Sequence, residues 1–310
     1  MKFGHRPLVS VIIPLYNKSG TLARAIRSVV QQTYSNFEMV IVDDGSTDSS
    51  PAVSEQITDA RIRLIHQGNA GPGAARNNGV AQTSGEILAF LDADDEWNAD
   101  YLQSAVSMLL QEPSAKACVC GYDAGGFRNE RPNKVRQLRK RGIYPPPIES
   151  RGRHLKLHVD AMHSSCVVVY RETFNRLGGY FSRDGCRYGE DSFLWASLLL
   201  SEAVIWNPAE LVRFHVEDST LGFAAGRRET ARPISIFPEE FKNRVPMSSR
   251  DAADRLVRRF AALDFLFLLD SGAQAAASQL CRKHRLSPKW IEFEAVLDRV
   301  KRVLGGLIKV

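Results

Sequence analysis

Apolar, β-branched-rich runs alternate with amphipathic stretches through the first hundred residues. Residues 8–13 are almost wholly apolar and stop at Pro14, which predicts a buried parallel strand. Residues 19–32 change to helical spacing, with Leu22, Ile26, Val29 and Val30 on one face and Ser19 as a candidate N-cap. Residues 37–42 predict a second strand that stops at Asp43-Asp44-Gly45-Ser46, and Asp48 or Ser49 starts the next helix. A third strand follows at 61–65, then a helix over 71–81 opened by a Gly/Pro turn. A fourth strand is expected at 86–91 and a helix at 99–110. Four such alternations predict an α/β fold, a doubly wound and mostly parallel sheet flanked by helices with right-handed crossovers.

After Tyr122 the pattern breaks. Residues 123–150 are rich in Gly, Pro and Arg, include Pro145-Pro146-Pro147, and read as a long loop. Strand character returns at 165–170, 203–205 and 211–215, and helical character at 190–200. From about Arg250 the chain reads as helical. Leu256, Phe260, Leu263 and Phe267 form one seam; Phe293, Val296, Val300, Val303 and Leu307 form another, beside Arg299, Lys301 and Arg302. The expected organisation is an α/β domain over 1–230, in halves 1–122 and 123–230, and a helical C-terminal extension over 231–310.

Charge adds a contrast to this pattern. The chain of 310 residues carries a formal +6, with a surplus of +8 over 128–156 and +5 over 281–310, which leaves the remainder at −7. The basic segments, including Arg136, Arg139, Lys140 and Arg141, suit an anionic partner such as a lipid-linked diphosphate or an acidic glycan; a solvated surface is the plainer alternative. They match no nucleic-acid motif, so no nucleic acid is expected as a partner. Cys118, Cys120, Cys166, Cys186 and Cys281 are odd in number and lack zinc spacing, which fits free thiols in a reducing compartment. The first nine residues do not read as a signal peptide, and no run approaches the ~20 apolar residues of a membrane span. The expected location is cytoplasmic, with peripheral contact at the inner face of the membrane through the basic segments; a dimer seam or plain core packing is at least as good a use for the helical tail.

Two strand ends carry acids, Asp43-Asp44 after the second strand and Asp92, Asp94 and Asp95 after the fourth. Parallel strands bring both to the carboxyl edge, where ligands bind in open α/β sheets. Acids spaced i, i+2 with a third beside them repel, and a hard divalent cation carrying a diphosphate answers that charge. Gly71-Pro72-Gly73-Ala74-Ala75-Arg76 is not a dinucleotide fingerprint, because it follows the third strand and ends in Arg76, which can still reach a phosphate. Trp195 and Trp206 are sugar-stacking candidates, with core packing the more usual role.

These stretches resemble family 2 glycosyltransferases, the inverting, non-processive members with the GT-A fold. The resemblance rests on Val9 through Asn17, Ser28 through Tyr34, Val42-Asp43-Asp44-Gly45-Ser46-Thr47-Asp48, Asn69 through Gly79, and Gly85 through Asp95. Looser matches follow at Leu177-Gly178-Gly179-Tyr180-Phe181 and Gly189-Glu190-Asp191-Ser192-Phe193. The resemblance implies a nucleotide-sugar-binding first half and an acceptor-binding second half. It places Pro14, Tyr16 and Asn17 at the nucleotide, with Tyr16 against the base and Asp44 hydrogen-bonded to it. Arg76 falls in the segment over the nucleotide. Asp92, Ala93 and Asp94 become the D-x-D motif, with Asp92 at the ribose and Asp94 on Mn²⁺ or Mg²⁺, and Asp95 nearby in support. Phe214-His215 followed by Ser219 resembles the segment in which a His meets the metal. Asp191 matches the position of the catalytic base, and Glu190 is the alternative.

The activity implied is metal-dependent, inverting transfer of a hexosyl-type sugar from a nucleoside-diphosphate sugar, UDP by frequency, to a hydroxyl of a glycan or lipid-linked acceptor in bacterial surface polysaccharide assembly. Neither the Q-x-x-R-W motif nor the spanning helices of the processive synthases is found. Two other classes stand beside it: a catalytically silent nucleotide-sugar-binding protein, and another nucleotide-sugar enzyme such as a nucleotidyltransferase. The latter carries a Gly-rich basic loop after its first strand, where this chain has Pro14-Leu15-Tyr16-Asn17.

Overall fold

A computed structural model describes residues 6–55, 58–123, 140–218 and 230–287. Strands β1 (Val9–Leu15), β2 (Phe37–Asp43), β3 (Ile62–His66) and β4 (Ile87–Phe90) alternate with helices α1 (Leu22–Val30), α2 (Ser50–Glu55) and α3 (Pro72–Ala81). A two-residue strand β5 (Glu96–Trp97), helix α4 (Tyr101–Gln111) and strand β6 (Ala115–Asp123) complete the first half. The second half contributes β7 (Gly142–Tyr144), α5 (Gly152–Val159), β8 (Val167–Tyr170), α6 (Arg171–Arg176), α7 (Glu190–Ser201) and β9 (Ala203–Arg213). Helices α8 (Pro233–Ile236), α9 (Pro238–Asn243), α10 (Arg250–Asp270) and α11 (Gln274–His284) follow.

The strands form one sheet in the order β3-β2-β1-β4-β8-β6-β9-β5, with β7 also on β9. β3, β2, β1, β4, β6 and β9 run the same way, while β8, β5 and β7 run against them. The sheet is therefore mixed but mostly parallel, as the sequence predicts. Alternation along β1 explains its two cores. Val9, Val11 and Ile13 face the layer of Ile26, Val29, Tyr101 and Leu109. Ile12 faces the layer of Trp195, Trp206, Leu256 and Phe260. The C-terminal helices thus share a core with the α/β body. Both tryptophans are core residues and neither lines the cleft described below.

Several local expectations are corrected. α1 starts at Leu22 and not at Ser19, whose backbone N–H goes to Asp48 Oδ2 at 3.1 Å. α2 starts at Ser50, whose N–H is held by Asp48 Oδ1 at 2.9 Å. The strand at 165–170 begins with a 3₁₀ turn over Ser164–Cys166. The two short strands at 203–205 and 211–215 are one strand, whose pairing with β6 shifts register where Asn207-Pro208 interrupts the alternation. β6 is not marked by the sequence pattern because both of its faces are covered. The predicted long loop contains β7. Arg136, Arg139, Ser219 and the second helical seam at 293–307 lie outside the described residues. Within them, no helix is long and apolar enough to cross a membrane, and the five cysteines are free thiols.

Candidate active site

The carboxyl ends of β1, β2 and β4 open into a cleft of about 670 Å³. Pro14, Tyr16, Asp44, Arg76, Asp92, Ala93, Asp94, Glu190, Asp191 and His215 all line it. Of the residues proposed from the sequence, Asn17 does not. It sits at a positive φ of 52° and its Oδ1 accepts the Thr47 N–H at 2.8 Å, tying the loop after β1 to the loop after β2. That tie leaves the neighbouring Tyr16 ring projecting at the cleft, 41% exposed.

The two acids after β2 have separate tasks. Asp43 accepts the Ser46 N–H and pairs with His66, closing the turn. Asp44 is buried and accepts from Gln67 Nε2 (2.8 Å), Ala70 N–H (2.8 Å) and Gly71 N–H (2.9 Å). It therefore shapes the loop that enters α3. Gly71 holds φ +96° there, and a Cβ on it would lie 2.4 Å from the Cys186 carbonyl oxygen. The first half is thus pressed directly onto the loop before α7.

The acidic turn after β4 is built in layers. Asp95 is buried and bonds Ser165 Oγ at 2.6 Å; burial, then the charges of Asp92 and Asp94, push its carboxyl well above the ordinary value. Ser165 Oγ also accepts the Asp92 N–H at 3.1 Å, so Asp95 supports the turn from beneath. Asp94 is raised too, by burial and then by Asp92, with Lys18 opposing. Lys18 Nζ meets Asp94 Oδ2 at 2.7 Å and the Asp218 carbonyl oxygen at 2.7 Å. Asp92 Oδ1 receives Arg76 Nη2 at 2.5 Å.

Arg76 also reaches across the cleft. Its Nη1 donates to Glu190 Oε1 at 3.0 Å, and its guanidinium lies over the Tyr180 ring, 5.0 Å from the centroid. Burial opposes its charge, but Asp92, Tyr180 and Glu190 outweigh that and raise its pKa. Burial and the adjacent Asp191 push the Glu190 carboxyl up to about 7, against the pull of Arg76. Asp191 opens α7 beside it, less buried, with Oδ1 accepting the Ser192 N–H at 2.6 Å. His215 pairs through Nε2 with Glu96 and through Nδ1 with Glu217, both at 3.3 Å.

These shifts have a consequence for stability. Between about pH 4.5, the ordinary Glu value, and about 7, the folded chain holds the Glu190 proton and the unfolded chain releases it. That contribution is present below the lower value and is lost as pH rises through the upper one. Asp94 and Asp95 act with the same sign. Metal-free protein should therefore melt at a lower temperature at about pH 8 than at about pH 5, and Glu190→Gln should flatten the difference. Thermal melts across pH check this, and an opposite slope would refute it.

The donor set fits a hard divalent cation. Asp92 and Asp94 offer carboxylate oxygens from one acidic turn, and His215 lines the same cleft. Among the described residues, the group of possible ligands already within 4.8 Å of one another is His215, Glu217 and Asp218, and Asp94 is outside it on Lys18. Sequence reasoning missed Lys18, Asp218, Ser165 and Arg232. Arg232, beyond the expected domain boundary, lines the cleft and is held by Asp264 and by Tyr188 Oη. A cation one position after the motif residue Asn17 was the available signal for Lys18.

Comparison with known proteins gives the family and the fold. The family model described as "Glycosyl transferase family 2" matches residues 10–178. An uncharacterised glycosyltransferase of Rickettsia conorii is 46% identical over 230 residues, covering 74% of this chain and 36% of that protein. A UDP-Glc:α-D-GlcNAc-diphosphoundecaprenol β-1,3-glucosyltransferase of Escherichia coli is 41% identical over 105 residues, covering 34% of this chain and 42% of that protein. The chain thus spans less than half the length of either relative. Among solved structures, a mannosyltransferase of Pyrobaculum calidifontis in complex with GDP-Man and Mn²⁺ superposes with a TM-score of 0.59 at 22% identity, covering 97% of this chain and 81% of that one.

Proposed function

The chain belongs to glycosyl transferase family 2, and from that premise we propose that it transfers a sugar from a UDP-sugar to a hydroxyl of a glycan or lipid-linked acceptor, with inversion and with bound Mn²⁺ or Mg²⁺. One observation carries the reading: a single cleft brings Asp92 and Asp94 of the first half together with Asp191 of the second. The choice of UDP and of a lipid-linked acceptor draws on what the E. coli relative is named for. Work at the cytoplasmic face of a membrane in polysaccharide assembly belongs to the same proposal.

In this reading Pro14, Tyr16 and the loop held by Asp44 receive the base, and Asp92 the ribose. Asp94, with Asp92 and His215 as further ligands, holds the divalent cation, which supplies charge neutralisation to the diphosphate. Asp191 takes the proton of the acceptor hydroxyl while that oxygen bonds to the anomeric carbon. The bond from that carbon to the β-phosphate oxygen breaks on the opposite face, and UDP keeps its electron pair. Glu190 is a poorer base because Arg76 already holds its carboxylate. Arg76 joins the two acids across the cleft and fixes the donor side relative to the base.

The test is a thermal-shift panel of UDP-, GDP- and dTDP-sugars, each with Mn²⁺ and with EDTA. A UDP-sugar should raise the melting temperature in the presence of metal, since a ligand of the native state stabilises by mass action. Asp94→Ala should abolish that shift. A shift that is equal with EDTA would remove the metal from the reading.

A further inference from the structure

The Asp94 carboxylate has a cation of its own. Lys18 Nζ lies 2.7 Å from Asp94 Oδ2, and the two side chains are only 14% and 17% exposed. Lys18 is fixed by a second bond, at 2.7 Å, to the Asp218 carbonyl oxygen. Arg24 lies next to this pair but treats Asp94 differently. Its Nη2 donates to the Asp94 main-chain oxygen and to Asp218 Oδ2, each at 2.8 Å, and makes no bond to the Asp94 carboxylate. Three acids therefore crowd one turn, and the one that the proposed function assigns to the metal is neutralised by an ammonium.

A buried carboxylate without a partner is costly, so a positive charge beside Asp94 stabilises its ionised form when no metal is present. A lysine suits that task better than an arginine. It is a compact charge on a flexible stem with no bidentate grip, and it can leave without dismantling the turn. Lys18 holds Asp94 through Oδ2, and an ammonium and a divalent cation on one carboxylate compete for its charge because the two cations repel at that range. Lys18 also lines the cleft, so once displaced it stays beside any anionic ligand held there.

We propose that Lys18 is the resident counter-ion of Asp94 with which the divalent cation competes, so that Lys18 holds metal affinity down until an anionic donor is present to receive the ammonium. This rests on the metal-dependent reading above. Removing the ammonium should tighten metal binding, whereas a lysine that merely supports the fold would weaken it.

The probe is Mn²⁺ alone, without nucleotide, titrated by electron paramagnetic resonance into wild type, Lys18→Met and Arg24→Met, with thermal melts to confirm folding. Lys18→Met should bind Mn²⁺ about tenfold more tightly, equivalent to about 1.4 kcal/mol. Arg24→Met removes the same charge from the neighbourhood but not from the carboxylate, and should gain about twofold at most. If Lys18→Met does not fold, Lys18→Gln takes its place with the same expectation. Unchanged or weaker binding in the Lys18 variant overturns the inference, as does an equal gain in Arg24→Met. Wild-type binding that Asp94→Ala removes, together with no gain from Lys18→Met, overturns this inference alone. No Mn²⁺ binding in any variant overturns it together with the metal reading.

Discussion

Asp191→Asn is expected to lower sugar transfer by about 10²–10⁴-fold, the usual worth of a positioned general base, while donor binding stays at the wild-type level. The substitution is conservative for the fold. Asp191 Oδ1 accepts the Ser192 N–H at 2.6 Å, and the carbonyl oxygen of an asparagine can accept the same bond. What disappears is the capacity to take a proton. Asp191 is also separate from the acids proposed to meet the donor, which follow β2 and β4, whereas Asp191 lies in the first turn of α7. The measurement is kcat with the donor found by thermal shift, beside donor affinity by calorimetry. Glu190→Gln supplies the contrast, since a glutamine still accepts from Arg76. Full turnover in Asp191→Asn, with loss in Glu190→Gln, would transfer the base to Glu190.

Arg76→Met is expected to lower stability strongly. Arg76 is 5% exposed and lies between Asp92 at 2.5 Å and Glu190 at 3.0 Å. Removing one partner from a buried ion pair costs about 3–5 kcal/mol, because the remaining charge is stranded. For a chain of this size that is a drop on the order of 10 °C in melting temperature. Glu190 can relieve part of the strain by holding its proton, so the loss should be larger at about pH 8 than at about pH 5. Adding Glu190→Gln to Arg76→Met should recover part of the loss, because it removes the stranded carboxylate. A melting temperature within about 2 °C of wild type at the higher pH would show that this bridge does not hold the two halves together.

Much of the donor side is legible in the linear sequence. The strand and helix periods over residues 8–110 depend on near neighbours, and they correspond to β1 through α4 apart from small shifts of boundary and the two-residue β5, which is too short to carry a period. The acids at 43–44 and 92–95 stand where those periods stop, so their place at one sheet edge follows once the strands are read as parallel. What each acid touches is not legible in the same way. Asp44 directs its oxygens to Gln67, Ala70 and Gly71, and Asp95 supports its turn through Ser165. The rest is harder to read. β6 is buried on both faces and lacks the alternation of polar and apolar positions that an exposed face produces, while α5, α8 and α9 of the second half span only eight, four and six residues, too few for a helical period to stand out.

The alternation of strand and helix over the first hundred residues, the acidic strand ends and the membership of a glycosyltransferase family are legible in the sequence, since each rests on stretches of residues close together in the chain. The pairing of charges is decided by the tertiary structure. Lys18 meets Asp94 across 76 positions, Arg76 meets Glu190 across 114, and Lys18 meets the Asp218 carbonyl across 200. Which cation neutralises which acid depends on separations of about 3 Å in a buried cleft. A contact of that range is a property of packed elements and has no local signature in the order of residues.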